Sequence, residues 1–196
     1  AVNDHLARMQ LVLRQGTPRY DVAVYRHDFG LSGAGTTGVG SDQLLPSSSA
    51  TARAGFTYEY LSPAQLRSKN ARFEKGALFP DASAYQAVLL DEQDTMAVDT
   101  ARRLRDLAGK GLPVVIIGDL PTKIPGLDHT GSEDAELHRV LTELVAAKRV
   151  VRVADESAVP AALARLRVEP SAASAEASSD VLAVRRHASS RGKASD

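Results

Sequence analysis

The chain has 196 residues, 43% of them hydrophobic, with 24 basic and 24 acidic side chains and neither Cys nor Trp. That length buries a full core without staples, and zero cysteines exclude a disulfide scaffold, a thiolate zinc site and a cysteine nucleophile. Balanced charge removes the electrostatic case for a nucleic-acid or anionic-membrane partner, and no apolar run approaches the roughly 18 residues of a membrane span.

In chain order, Leu6, Met9 and Leu13 recur at helical spacing and stop at Gly16, predicting a first helix over His5 to Gln15. Asp21 to Tyr25 is a short β-branched run between turn signals. Gly30 to Gly55 is Gly/Ser/Thr-rich and is expected not to order itself. Phe56 to Tyr60 reads as a strand leading into a helix with Ser62 as N-cap and Pro63 first. Arg72 to Phe79 predicts a small hairpin and Tyr85 to Leu90 a third strand. The helix over Thr95 to Ala108 sets Met96, Ala101, Leu104 and Leu107 against Arg102, Arg103 and Asp106, starting from Asp94 or Thr95. Pro113 to Ile117 is a strand, Ser132 to Ala147 a helix, Val150 to Val153 a strand, and Ser157 to Leu166 a helix with Pro160 in its first turn.

Runs apolar on both faces, such as Val114 to Ile117, imply strands covered on both sides. Strand and helix in alternation imply right-handed crossovers. The expected fold class is therefore α/β, a three-layer sandwich with a mainly parallel, flavodoxin-like sheet of about five strands. Glu169 to Ser179 is Ala/Ser-rich, and Asp180 to His187 reads as a strand with no later strand to pair. The chain opens at Ala1. We therefore expect a domain over residues 1–168, a linker over 169–179, and over 180–196 the start of a following β-rich module, all cut from a longer protein.

Gly33-Ala-Gly35-Thr-Thr-Gly38 has the letters of a dinucleotide fingerprint, with Glu59 as a ribose-binding acid. The strand ends near Tyr25, too early, and Pro46 follows where a helix should run, so a surface loop is expected instead. Asp28, Asp91, Glu92, Asp119 and Asp155 (with Glu156) each follow a predicted strand, on the carboxyl edge where open α/β sheets bind ligands. Such acids hold Mg²⁺ or Ca²⁺ when they converge, and cap helices when they do not. They are the candidate ligand or interface rim; no metal site and no catalytic residue are assigned. His5, His27, His129, His138 and His187 form no pair at metal-binding spacing, and no G-x-S-x-G elbow exists. No acid pair is singled out as a glycosidase would need.

Ala7 to Gly16 followed by Tyr20 to Tyr25, then Tyr58 to Pro63, Tyr85 to Leu90, Ala108 to Gly111, Pro113 to Pro121 and Val181 to His187, resemble in order the amidotransferase-like α/β domain of large glycoside hydrolases. The resemblance runs to glycoside hydrolase family 106, the α-L-rhamnosidase type, and a related domain trimerises some β-galactosidases. It implies a class I amidotransferase-like sheet. At the turn where amidotransferases carry their Cys, this sequence has Gly118-Asp119, so that chemistry is absent.

What the resemblance implies is a non-catalytic structural domain of a multidomain enzyme acting on rhamnose-containing glycans. Its partners would be a barrel upstream, a β-sandwich downstream and the parent enzyme's carbohydrate substrate. The segment itself needs no cofactor, and any divalent metal such as calcium would lie elsewhere in the parent. A secreted or periplasmic location is compatible with the resemblance. The alternative is a stand-alone flavodoxin-like module binding a divalent metal or small ligand at the carboxyl edge of its sheet. A nucleotide-dependent oxidoreductase would rest on the glycines alone.

Overall fold

The computed structural model describes residues 2–26, 49–91, 93–126, 131–172 and 185–187. In chain order these form α1 (Val2–Arg14), β1 (Thr17–Arg19), β2 (Val22–Tyr25), α2 (Ala50–Arg53), β3 (Tyr58–Leu61), α3 (Pro63–Arg67), β4 (Phe73–Glu74), β5 (Ala77–Leu78), β6 (Ala87–Leu90), α4 (Val98–Gly109), β7 (Val114–Ile117), α5 (Gly131–Val145), β8 (Val150–Val153), α6 (Val159–Arg165) and β9 (Arg185–His187). A 3₁₀ turn, Glu156–Ala158, precedes α6.

Five strands make one parallel sheet in the order β3-β2-β6-β7-β8. Counted along the sheet's own strands this is the doubly wound order 2-1-3-4-5, which reverses direction between β2 and β6. The strand period of two sorts the core into two clusters. Ala23, Tyr25, Val88, Leu90, Val114 and Ile116 pack with Leu66 of α3, Leu104 and Leu107 of α4, and Leu137 and Leu141 of α5. Val22, Val24, Leu89, Val115 and Ile117 pack with Val159 and Leu163 of α6. All residues of β2, β6 and β7 are buried, which is why these runs show no polar alternation.

Local chemistry sets several ends. Ser62 and Gln65 close a capping box at α3, with Gln65 N donating to Ser62 Oγ (3.2 Å) and Ser62 N to Gln65 Oε1 (2.8 Å). The β4–β5 hairpin turns on Lys75 and Gly76, both at positive φ, the geometry a tight two-residue turn needs.

The structure corrects three expectations. Helix α4 begins at Val98 rather than at Asp94 or Thr95, because Met96 N donates to the Lys123 carbonyl (3.0 Å) and Thr95 bridges Lys123. That pairing holds the crossover extended while the Met96 side chain is fully buried. Next, residues 49–55 of the Gly/Ser-rich stretch are ordered into α2 and its caps; the rest of it up to Ser48, with the Gly33–Gly38 motif, lies outside the described residues. Finally, the terminal strand is not left unpaired. β9 runs antiparallel to β1, with Pro18 opposite Arg186.

Candidate functional site at the carboxyl edge of the sheet

The reversal between β2 and β6 opens the place where doubly wound sheets receive ligands. The first residue after β2 is Arg26 and the first after β6 is Asp91. Arg26 Nη1 donates to Asp91 Oδ2 at 2.9 Å, the arginine side chain 7% exposed and the aspartate 27%. This ion pair stands at the switch point itself. Behind it, Tyr25 and Thr100 are fully buried, and the Tyr25 hydroxyl, the Thr100 hydroxyl and Arg26 Nε make no well-formed hydrogen bond. Burial pushes the Tyr25 phenol up to about 12; the neighbouring Thr100 hydroxyl and the Arg67 charge offset part of the rise.

The other acids of the rim do not converge on that pair. Asp119, after β7, binds Arg152 Nη2 of β8, while Arg152 Nε donates to the Gly118 carbonyl at 2.7 Å. Asp155, after β8, caps the 3₁₀ turn by accepting from Ser157 N (2.9 Å) and from the Ser157 hydroxyl. Those two bonds, the hydroxyl's first, hold its carboxyl below the usual carboxylate range. Asp28 and Glu92 lie outside the described residues. Among the described residues no three His, Asp or Glu side chains are placed to hold a metal ion. His5, His138 and His187 are exposed on α1, α5 and β9, and His27 and His129 fall outside the described residues. Glu59 sits within β3 and accepts from the Tyr85 phenol at 2.9 Å.

Two acids matter more to the architecture: Glu156, expected on the rim beside Asp155, and Asp21, which the sequence does not single out. Glu156 accepts from Ala50 N (2.8 Å), Thr51 N (2.7 Å) and Thr51 Oγ1 (2.5 Å), capping α2 from a position 105 residues further along. At the opposite, amino edge, Asp21 is fully buried. It accepts from Thr57 N (2.9 Å), Thr57 Oγ1 (2.9 Å), Gln86 Nε2 (3.1 Å), Ser171 N (3.1 Å) and the Ser171 hydroxyl, and Arg185 Nη1 lies 3.5 Å away. A buried carboxylate is tolerable only when so fully partnered. Both networks join segments far apart in sequence, so the one usable signal was an acid beside a strand or turn.

Strand order, two covered faces and an edge of individually partnered acids define an α/β domain built on a doubly wound parallel sheet. Its sequence matches the model of glycoside hydrolase family 106, alpha-L-rhamnosidase, over residues 1–191, and the chain belongs to that family. A curated relative from Formosa agariphila, named "Putative beta-glucuronidase", is 29% identical over 143 residues, which cover 71% of this chain and 11% of the relative. The solved rhamnosidase of Novosphingobium sp. PP1Y superposes with a TM-score of 0.55 at 19% identity, over 85% of this chain and 16% of that one. That likeness is one of fold. The chain thus spans a small fraction of the length of both relatives.

Proposed function

We propose that this chain is a non-catalytic, amidotransferase-like structural domain of a multidomain glycoside hydrolase that acts on rhamnose-containing glycans. Family membership supports the glycosidase context. The observation that carries the non-catalytic role is the pairing of the carboxylates. Glycoside hydrolysis needs two carboxyl groups facing each other across a sugar, one free to give a proton and one to act as base or nucleophile. Here Asp91 is bonded to Arg26, Asp119 to Arg152, Asp155 to Ser157 and Glu156 to Thr51, four separate partners for four acids. Each carboxylate is held in place by its own partner rather than facing a second acid, which suits a scaffold better than proton transfer. The reacting carboxylates would then lie in another part of the polypeptide, a barrel, with a β-sandwich beyond.

The test is hydrolysis of an aryl α-L-rhamnoside by the full-length gene product. Asp119→Asn and Asp155→Asn are expected to leave kcat within about twofold of the parent. Loss of a catalytic carboxylate removes several orders of magnitude. A thousandfold drop in either variant, with folding intact by circular dichroism, would overturn the proposal.

A further inference from the structure

Helix α1 has no buried residue from Asn3 to Arg14, whereas every other described α-helix has at least one buried side chain. Its apolar residues are nonetheless ordered. Leu6, Met9 and Leu13 recur at i, i+3 and i+7 with exposures of 52%, 48% and 39%, and Leu11 and Val12 are each 64% exposed. A helix of 13 residues is marginal in water on propensity alone, so its apolar face calls for a cover. Anchors at this spacing are the pattern by which a helix seats in an apolar groove.

The helix is also held in direction. It ends at Gly16 (φ 63°), and the chain passes at once into β1, paired with β9. Arg186 of β9 donates to the Gln15 carbonyl and, at 2.8 Å, to the Gly16 carbonyl, so the exit strand grips the carboxyl end of α1. Arg185, next to it, reaches the buried Asp21. The pair β1–β9 is therefore a short stem, tied to the sheet at one end and to α1 at the other.

We infer that α1 is a docking helix whose Leu6–Met9–Leu13 face seats in an apolar groove on the remainder of the same, longer polypeptide, with β1, β9 and Arg186 as the stem that aims it. This rests on the reading of the chain as an accessory domain. Two observations favour a tethered groove over a second copy. The matched region is 11% of the length of one relative and 16% of the other, so each carries most of its polypeptide outside it. In addition, one face of a helix about 20 Å long supplies well under the roughly 800 Å² per partner typical of stable free association. Tethering replaces that deficit with an effective concentration in the millimolar range.

Hydrogen exchange decides it, measured on the 196-residue chain and on the full-length gene product. The α1 amides are expected to exchange at least about a hundredfold more slowly in the full-length product. Met9→Glu should abolish that difference while leaving the unfolding midpoint of the 196-residue chain unchanged, since Met9 is half-exposed and packs in neither core cluster. If Met9→Glu prevents the full-length product from folding, Met9→Ala, which leaves the stripe apolar but shallower, should show intermediate protection. Equal exchange in the two wild-type proteins overturns the docking. Protection that appears in the short chain as its concentration rises also overturns it, by showing that a second copy is the occupant. Neither result touches the accessory reading, which falls only if the aspartate variants abolish rhamnoside hydrolysis.

Discussion

Glu156 holds Thr51 twice, through the backbone amide at 2.7 Å and through the hydroxyl at 2.5 Å. An acid just past the last strand of the sheet thus supplies the amino-terminal cap of the one-turn helix α2. Ser49 makes the usual local cap, accepting from Ala52 N at 3.2 Å, but a single turn cannot sustain itself on one such bond. Glu156→Ala is expected to destabilise the fold by about 1–3 kcal/mol, the cost of leaving partly buried donors without an acceptor. Limited proteolysis should then cut between residues 49 and 55 before the sheet opens. A variant as stable and as protease-resistant as the parent would show that the clamp is incidental.

The Arg26–Asp91 pair makes a second, opposite pair of statements. Asp91→Ala leaves a nearly buried guanidinium without this counter-ion and should cost about 1–3 kcal/mol in urea unfolding, less than a fully buried pair because Asp91 is 27% exposed. Millimolar Mg²⁺ or Ca²⁺ should not move the melting temperature, since Asp91, Asp119 and Asp155 each serve a different partner. A ligand that prefers the folded state would raise it. A rise of several degrees, lost in Asp91→Ala, would show an ion at the edge.

Tyr25 offers a pH test with a defined sign. Its phenol titrates near 12 in the fold against 10 when unfolded, because burial disfavours the phenolate. Between those values the folded state keeps a proton that the unfolded state has lost. Stability is therefore full below pH 10 and falls as the pH rises from 10 to 12. Tyr85 is shifted the same way by burial, and Glu59 adds to it. Tyr25→Phe should flatten the fall, and at pH 7 it should be neutral or stabilising by up to about 1 kcal/mol, because it removes a buried hydroxyl with no well-formed hydrogen bond. A loss of more than about 2 kcal/mol at neutral pH would mean the hydroxyl has a strong partner.

Gly55 marks a close approach that no neighbouring residue announces. It sits at φ +88°, and a Cβ there would lie 1.7 Å from the Ala172 carbonyl oxygen. Gly55→Ala should therefore displace the segment around Ser171 and Ala172 and cost more than about 2 kcal/mol, combining backbone strain with a backbone clash. Denaturant unfolding reads the loss. Gly76→Ala, at φ +77° with open space around it, should cost less.

The elements legible in the sequence were those whose burial pattern is local. Val114 to Ile117 and Ala87 to Leu90 declare a doubly covered strand by being apolar throughout, and Leu104 and Leu107 declare a helix face by their spacing. Ser62 and Pro63 announce α3 because an N-cap and a first-turn proline are adjacent in the chain; the Gln65 half of the capping box is seen only in the structure. The start of α4 was misread because Asp94 and Thr95 look like caps, while the competing bond from Met96 N goes to Lys123, a residue on the far side of β7. The terminal strand looked unpaired for the same reason, its partner β1 lying at the other end of the chain.

The sequence by itself settled the class of fold, because hydrophobic periodicity records on each residue which face is buried, and repeated strand–helix alternation leaves few ways to cover a parallel sheet. It also placed acids along one edge. What those acids do was decided in three dimensions. Whether a carboxylate meets an arginine, a helix cap or another carboxylate depends on contacts such as Arg26–Asp91, 65 residues apart, and Glu156–Thr51, 105 apart. Such contacts leave no periodic trace, since a single ion pair requires only that two side chains of suitable charge arrive together after the chain has folded.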